Sequence, residues 1–317
     1  MFRILGAVLG IAALVTVVVI SDPPEIWRRL AAIPSVYVFI GLGLVQVQII
    51  LSAVRWRFTA QRLRQGLSLR QAVRNYYLSS FLNQTLPGGM AGDAVRALRH
   101  RGELPGGWKV PALVVVLERA VGQGVFLLIA GVGLVAWPLL VVRRLPDSLE
   151  GVLSAAYVLV GLIFLAAIVL FRFPPRAFAA RMASFKQALY EVFVEGGAWK
   201  VQSILGLFIV GSYIGMYMLA SVAVGAPLPA LASVTVVPLC MLMMLVPATV
   251  AGWGAREAAA AGLWPLFGYA GADGVAASIF YGVLSLAGAA PGLVVAGLAP
   301  LPGRRATQED HDPSSRA

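Results

Sequence analysis

Residues 86–96 read LPGGMAGDAVR: three glycines, a proline, an aspartate and an arginine set directly after the apolar run YYLSSFLNQT at 76–85. Backbone amides inside a bilayer pair within a helix, and each one left unpaired costs several kcal/mol. A broken backbone here therefore needs protein or a water-filled cavity around it. That makes the break a candidate site as well as a turn.

The rest of the chain makes a membrane the setting. Of 317 residues, 59% are hydrophobic and only 12% charged, which excludes a soluble globule. Uncharged or nearly uncharged runs at 4–20, 36–54, 112–136, 152–171, 204–224 and 275–298 each have the ~17–25 residues that cover about 30 Å of hydrocarbon. About six transmembrane helices are expected. The first run could be a signal peptide, but SDPPEIW follows it and offers no small-residue cleavage site, so an uncleaved span is the reading kept.

The net charge of +11 would suggest nucleic acid in a soluble protein; here it reads as the positive-inside bias of membrane loops, and no nucleic-acid partner is expected. Arg55, Arg57, Arg62, Arg64, Arg70 and Arg74 stand without an acid between Val54 and Asn75, which marks that side as cytoplasmic. Arg143 and Arg144, balanced by Asp147 and Glu150, fall outside, and the basic segment 172–200 falls inside. Both termini are then cytoplasmic. The tail 303–317, GRRATQEDHDPSSRA, is expected to be disordered. Cys240 is alone, and His100 and His311 are far apart, so neither a disulfide framework nor a metal site is expected, and no cofactor. His100 reads as a loop residue.

This topology closes only if the apolar segments 76–90 and 233–250 do not cross. Each ends in a proline and a glycine-containing break, and each reads as half of a re-entrant hairpin. LPGGMAGDAVR and VPATVAGWGAR share Pro87, Gly92, Arg96 and Pro247, Gly252, Arg256, offset by 160 residues. The same offset carries 36–54 onto the fifth run and 112–136 onto the sixth. The expected fold is an all-α polytopic membrane protein, one integral domain over 1–302, with two re-entrant broken helical hairpins in an inverted repeat of halves at about 1–140 and 150–300.

The candidate chemistry sits at the breaks. Gly88, Gly89 and Gly92 admit positive φ and close approach, Asp93 reads as the N-cap of the second half-helix, and free N–H groups there form an anion pocket. Arg96, three residues on, can pair with Asp93 or grip a phosphate; the plainer alternative is an interfacial turn with Arg96 solvated. In the second copy, Gly252 and Gly254 break the chain, Arg256 and Glu257 add charge, and Trp253 reads equally as an interface anchor. Glu118 and Arg119 lie inside VVVLERAVGQG. Adjacent helix positions point about 100° apart, so each needs another partner, and Asp93 and Arg96 are the ones expected. A structural buried salt bridge is the competing reading. Gly211 with Gly215 and Gly288 with Gly292 suggest helix packing, Gln46 and Gln48 line a path or bond to neighbouring helices, and the cluster around Cys240 is apolar filling.

FLNQTLPGGMAGDAVRA, LER at 117–119 and VPATVAGWGAREAA together resemble the flippase-like integral membrane domain of the lysylphosphatidylglycerol synthase family, over nearly the whole chain. The resemblance implies a lipid translocase rather than an enzyme. Its matched positions here are Pro87, Gly88, Gly89, Gly92, Asp93, Arg96, Glu118, Arg119, Pro247, Gly252, Gly254, Arg256 and Glu257. Its cargo would be a membrane lipid with an anionic headgroup, whether phospholipid, glycolipid, polyprenyl or hopanoid lipid. Lipid-biosynthetic enzymes are the implied partners. The synthases continue into a soluble aminoacyl-transferase domain and this chain stops at Ala317, so lysyl transfer is not expected. An intramembrane lipid-modifying enzyme and a non-catalytic scaffold are the alternatives.

Overall fold

The computed structural model describes residues 2–86, 89–100, 107–135, 169, 172–173, 179–245 and 250–298. Pro87, Gly88, Pro247, the loop around Arg143, nearly all of the run 152–171 and the tail 303–317 lie outside them. The described helices are α1 (Phe2–Ile20), α2 (Pro23–Ala31), α3 (Ser35–Arg62), α4 (Leu69–Thr85), α5 (Ala91–His100) and α6 (Lys109–Val135). Then come α7 (Ala179–Phe193), α8 (Ala198–Ala223), α9 (Ala230–Leu242), α10 (Ala255–Leu263), α11 (Gly271–Ala289) and α12 (Pro291–Leu298). The chain is an all-α, multi-pass membrane protein.

Four helical segments, Ser35–Arg62, Lys109–Gly133, Glu195–Ala223 and Gly271–Gly297, are long and apolar enough to cross a bilayer. They account for four of the six expected spans. The first expected span differs: Gly10–Ile20 and Pro23–Ala31 pass the same test only as a pair, bent by 92°. Asp22 causes the bend, because its side chain accepts the Glu25 amide as an N-cap and Pro23 follows where no N–H is needed. Phe39, Leu128 and Phe208 on the long helices are 73%, 67% and 65% exposed, apolar outer faces suited to hydrocarbon.

The boundaries are longer than hydropathy suggests. α3 runs eight residues past Val54 and takes Arg55, Arg57 and Arg62 into the helix, so these are not loop charges. α4 starts at Leu69, where Ser68 and Gln71 form a capping box, well before the expected 76.

The 160-residue offset relates α3 to α8, α4 to α9, α5 to α10 and α6 to α11, and the packing repeats with it. Contacts α3–α4, α4–α5, α5–α6 and α3–α6 recur as α8–α9, α9–α10, α10–α11 and α8–α11, while α3–α11 and α4–α11 mirror α8–α6 and α9–α6. The two copies run in opposite directions. Gln202 Nε2 donates to Thr59 Oγ1 at 3.1 Å and Gln48 Nε2 to the Ser212 carbonyl at 3.1 Å, so α8 ascends as α3 descends. In contrast α11 runs parallel to α3, since Gly41 meets Leu284 and Gly288 meets Val45. These contacts make the repeat an inverted one.

Each hairpin returns to the end it left. Beside the C-terminus of α3, Arg57 Nε donates to the Leu67 carbonyl at 3.1 Å just before α4, and His100, closing α5, stacks edge-on to Trp56 at 5.7 Å. His100 is thus a helix-end residue rather than a loop one. At the opposite end the Tyr269 hydroxyl, after α10, donates to the Pro227 carbonyl, before α9, at 2.7 Å. The first break follows from Pro87, which holds Leu86 extended at φ −103° and ψ 145°, and from Gly89 at φ +60°.

Gly92 serves the close backbone approach expected of it and not the positive φ. Its φ is not positive; a Cβ there would run into the Ser79 carbonyl, so it lets α5 press against α4. Gly288 and Gly292 likewise admit Val45 and the Tyr77 backbone, whereas Gly211 and Gly215 face open space and do no such packing. Gln46 and Gln48 bond to the neighbouring α11 and α8 carbonyls of Gly288 and Ser212.

Gly92→Ala is expected to cost about 1–3 kcal/mol through this backbone overlap, read as a lower midpoint of unfolding in detergent. Gly43→Ala, where a Cβ meets nothing within 4 Å, is the control and should stay within about 0.5 kcal/mol.

Candidate functional site

The first half-helix, α5, has 10 residues, about 15 Å at 1.5 Å each, so its N-terminus reaches about half-way through the hydrocarbon. Three helices bring charge to a similar depth there. Arg55 stands seven residues before the end of α3 at Arg62, Asp93 seven before the end of α5 at His100, and Glu118 nine after the start of α6 at Lys109. This is about 10–14 Å in from the basic end.

Glu118 is fully buried and is shared between two arginines. Arg55 donates to its Oε1 through Nη2 at 2.6 Å and Nε at 3.1 Å, and Arg96 Nη2 donates to its Oε2 at 3.0 Å. The Tyr76 hydroxyl makes a longer contact to Oε1 at 3.4 Å. Arg96 also donates to Asp93 Oδ1 at 3.0 Å, and its guanidinium lies 4.7 Å from the Trp56 ring centre and 4.5 Å from that of Tyr76. Such cation–π contacts add about 0.5–2 kcal/mol each. Arg119 Nη2 closes the network on Asp93, 2.8 Å from Oδ2 and 3.0 Å from Oδ1.

The pairing expected of Glu118, Arg119, Asp93 and Arg96 is therefore present, and Glu118 and Arg119 use partners other than each other. Asp93 is not the N-cap: α5 begins at Ala91, Asp93 sits in its first turn, and Asn83 Oδ1 accepts the Gly92 amide at 2.8 Å. The anion pocket of free backbone donors is thus partly filled by a side chain of α4. Gly89 keeps its positive φ beside the break, and Gly88 lies outside the described residues.

In the second half Arg256 and Glu257 are both 0% exposed and pair with each other, Nη2 to Oε1 at 2.7 Å. Neighbouring residues can do this here because Glu257 turns back over the helix start, where its Oε2 accepts the Gly254 amide at 2.7 Å. Ser278 Oγ accepts from Arg256 Nε at 2.8 Å and donates to Glu257 Oε1 at 2.7 Å. Trp253 stacks on Arg256 at 5.0 Å rather than standing as a free interface anchor, and Tyr281 does so at 5.1 Å. Gly252 and Gly254 have φ +80° and +88°, and Gly254 lets α1 approach within a side chain's breadth, a Cβ there falling 2.7 Å from the Gly10 carbonyl.

The two networks stay apart. Helix α5 packs on α4 and α6, while α10 packs on α11, α9 and α1. Among the described residues no hydrogen bond or ion pair joins Asp93, Arg96, Glu118 or Arg119 to Arg256 or Glu257. Three groups of the first network were missed from sequence: Arg55, Tyr76 and Trp56. A signal existed for Arg55, since Gln48, Ser52, Arg55 and Thr59 recur at helical spacing and are all buried, at 3%, 2%, 4% and 0% exposed.

Residues 3–292 match the family described as the lysylphosphatidylglycerol synthase TM region. The chain belongs to that family. No curated protein matches it. Membership of the lysylphosphatidylglycerol synthase TM family joins a lipid-related membrane domain to the geometry above: one broken hairpin carries a charged network across three helices, and the other carries a compact local pair.

Glu118→Gln strands Arg55 and Arg96, and the expected cost is about 3–5 kcal/mol. Adding Arg55→Met to that variant should recover part of the loss, because it removes one stranded cation. Midpoints of unfolding for the four proteins of this cycle measure it.

Proposed function

We propose that this member of the lysylphosphatidylglycerol synthase TM family moves an amphipathic lipid with an anionic headgroup between the leaflets of a bacterial cytoplasmic membrane. One observation carries the reading. In the first network Arg55, Arg96 and Arg119 face only Asp93 and Glu118 among the described residues, which leaves one positive charge inside the membrane. An unbalanced buried arginine costs about 2.5–3.5 kcal/mol or more, and such residues mark substrate or ion paths. A headgroup phosphate would cancel the excess.

The break is built for such a ligand. Arg119 is the accessible member, its side chain 41% exposed against 0% for Arg96 and Glu118, so a headgroup would meet it first and Arg96 behind it. The inverted repeat supplies the second requirement, two similar halves able to rock so that a fixed site opens alternately to either side. With the arginine-rich end of α3 and α4 inside, both termini are cytoplasmic and the first hairpin enters from the cytoplasm. Gly89, Gly92, Asp93, Arg96, Glu118 and Arg119 form the headgroup site, and Gly252, Gly254, Arg256 and Glu257, packed on α1 and bonded to one another and to Ser278, brace the other half. Enzymes that make the lipid are the partners expected.

In proteoliposomes with fluorescent phosphatidylglycerol, leaflet exchange read by dithionite quenching should fall at least tenfold for Arg96→Gln and Arg119→Gln. Arg28→Gln, a 74% exposed side chain, should leave it unchanged. Chemical conversion of the lipid without leaflet exchange would replace this reading with that of a lipid-modifying enzyme. Unchanged exchange in both arginine variants would replace it with that of a scaffold.

A further inference from the structure

The two carboxylates of the first network are not equivalent. Glu118 lies at 0% exposure between Arg55 and Arg96, while Asp93 holds Arg119, the one member whose side chain is 41% exposed. Asp93 has further support of its own: Ser79 Oγ donates to Oδ1 at 3.2 Å and Arg96 Nη2 at 3.0 Å. Arg119 by contrast has Asp93 as its only acceptor among the described residues.

Arg119 is also half used. Its Nη2 serves Asp93, but its Nε, buried, has no hydrogen-bond partner, nor do Arg96 Nε and Nη1 or Arg55 Nη1. The Nε–Nη2 edge of a guanidinium is one of those that take two oxygens of a phosphate at once. Unpaired buried donors of this kind are costly, and they are cheapest to keep where a ligand supplies the missing oxygens.

We propose that Asp93 is a built-in counter-ion that an incoming headgroup displaces from Arg119, so that the site takes one singly charged phosphodiester at a time. This rests on the reading of the network as a headgroup site. On exchange, Arg119 closes its Nε–Nη2 edge on the phosphate, and Asp93 stays paired through Arg96 and Ser79. Each arginine and each carboxylate keeps an oppositely charged partner after the exchange, and the surplus cation gains one. Three cations then face three anions, and the extra charge of an alkyl diphosphate, about one to two units more than a phosphodiester, would leave the site overcharged. The second network has no counterpart to this exchange, because Arg256 and Glu257 are both 0% exposed, so one headgroup binds per chain.

The test uses the full chain in an uncharged detergent with short-chain phosphatidylglycerol, zwitterionic phosphatidylcholine of the same chain length, and farnesyl diphosphate, binding being read by calorimetry. The wild type should prefer phosphatidylglycerol to both others. Asp93→Asn should bind phosphatidylglycerol about tenfold tighter, and it should hold the diphosphate more tightly than the wild type does, since one competing negative charge is gone. Arg119→Gln should lose about tenfold or more. Phosphatidylglycerol binding that is unchanged or weaker in Asp93→Asn would overturn the proposal, because Asp93 would then be a ligand-holding group and not a competitor.

If that variant does not fold, the wild type decides: carbodiimide labelling of Asp93, read by mass spectrometry, should rise when phosphatidylglycerol is added. Constant or reduced labelling sinks the idea. The leaflet assay is separate from both measurements. Displacement of Asp93 without leaflet exchange would remove the translocation reading alone, and exchange without displacement would remove this one alone.

Discussion

The position of Glu118 between Arg55 and Arg96 constrains the first half of the molecule. A lone carboxylate at 0% exposure in a bilayer would be prohibitive, and so would either arginine, so the three must meet or none can stay. Their helices are thereby held at one depth: α3 and α6 by side chains facing across the gap, and α5 by Arg96 reaching between them. The hairpin cannot slide without separating charges. Its own sterics agree with this, since Gly92 lets α5 lie directly on the Ser79 backbone, where a larger residue would lift Arg96 out of register.

The inverted repeat has copied backbone, packing and one arginine, Arg96 and Arg256, without copying the acids: Asp93 and Glu118 correspond to Trp253 and Ser278. In the first half the ion network joins three helices and holds a surplus of one cation. In the second, Arg256, Glu257 and Ser278 close a short loop of bonds between α10 and α11. The physical difference lies in where the acid stands. Glu257 directly follows its arginine at a helix start and can cap the helix while it pairs, whereas Glu118 sits within the long helix α6, with no free helix end to cap, and must find cations on other helices. One half therefore keeps an arginine with an accessible side chain, and the other buries its arginine and its acid completely.

Legibility followed the length scale of each feature. The long apolar helices could be read because hydrocarbon thickness sets a minimum run of about 20 residues. The hairpins could be read because proline and glycines come together at each break, whereas Pro238 alone leaves α9 continuous. Asp93, Arg96, Glu118 and Arg119 were recognisable as partners because ionisable residues in apolar sequence need one another. Arg55 was assigned to a loop because hydropathy ends a span at the first charge, while α3 continues to Arg62. Gly92 and Asp93 were each given two roles, and the structure keeps the close packing of the one and the ion pairing of the other while removing the positive φ and the N-cap.

By itself the sequence determined the class of the molecule, its long apolar helices, its two breaks and the residue types gathered at each, since all of these depend on composition and on spacing along one chain. Only the tertiary structure decided which charges share a carboxylate, that α8 runs antiparallel to α3, that the two networks stand apart, and that Arg119 is the member left accessible. Those outcomes depend on residues tens to hundreds of positions apart, such as Gln48 with Ser212 and Arg55 with Glu118. Pairing of that kind is set by which helix faces meet when the apolar surface is buried, and local pattern carries no record of it.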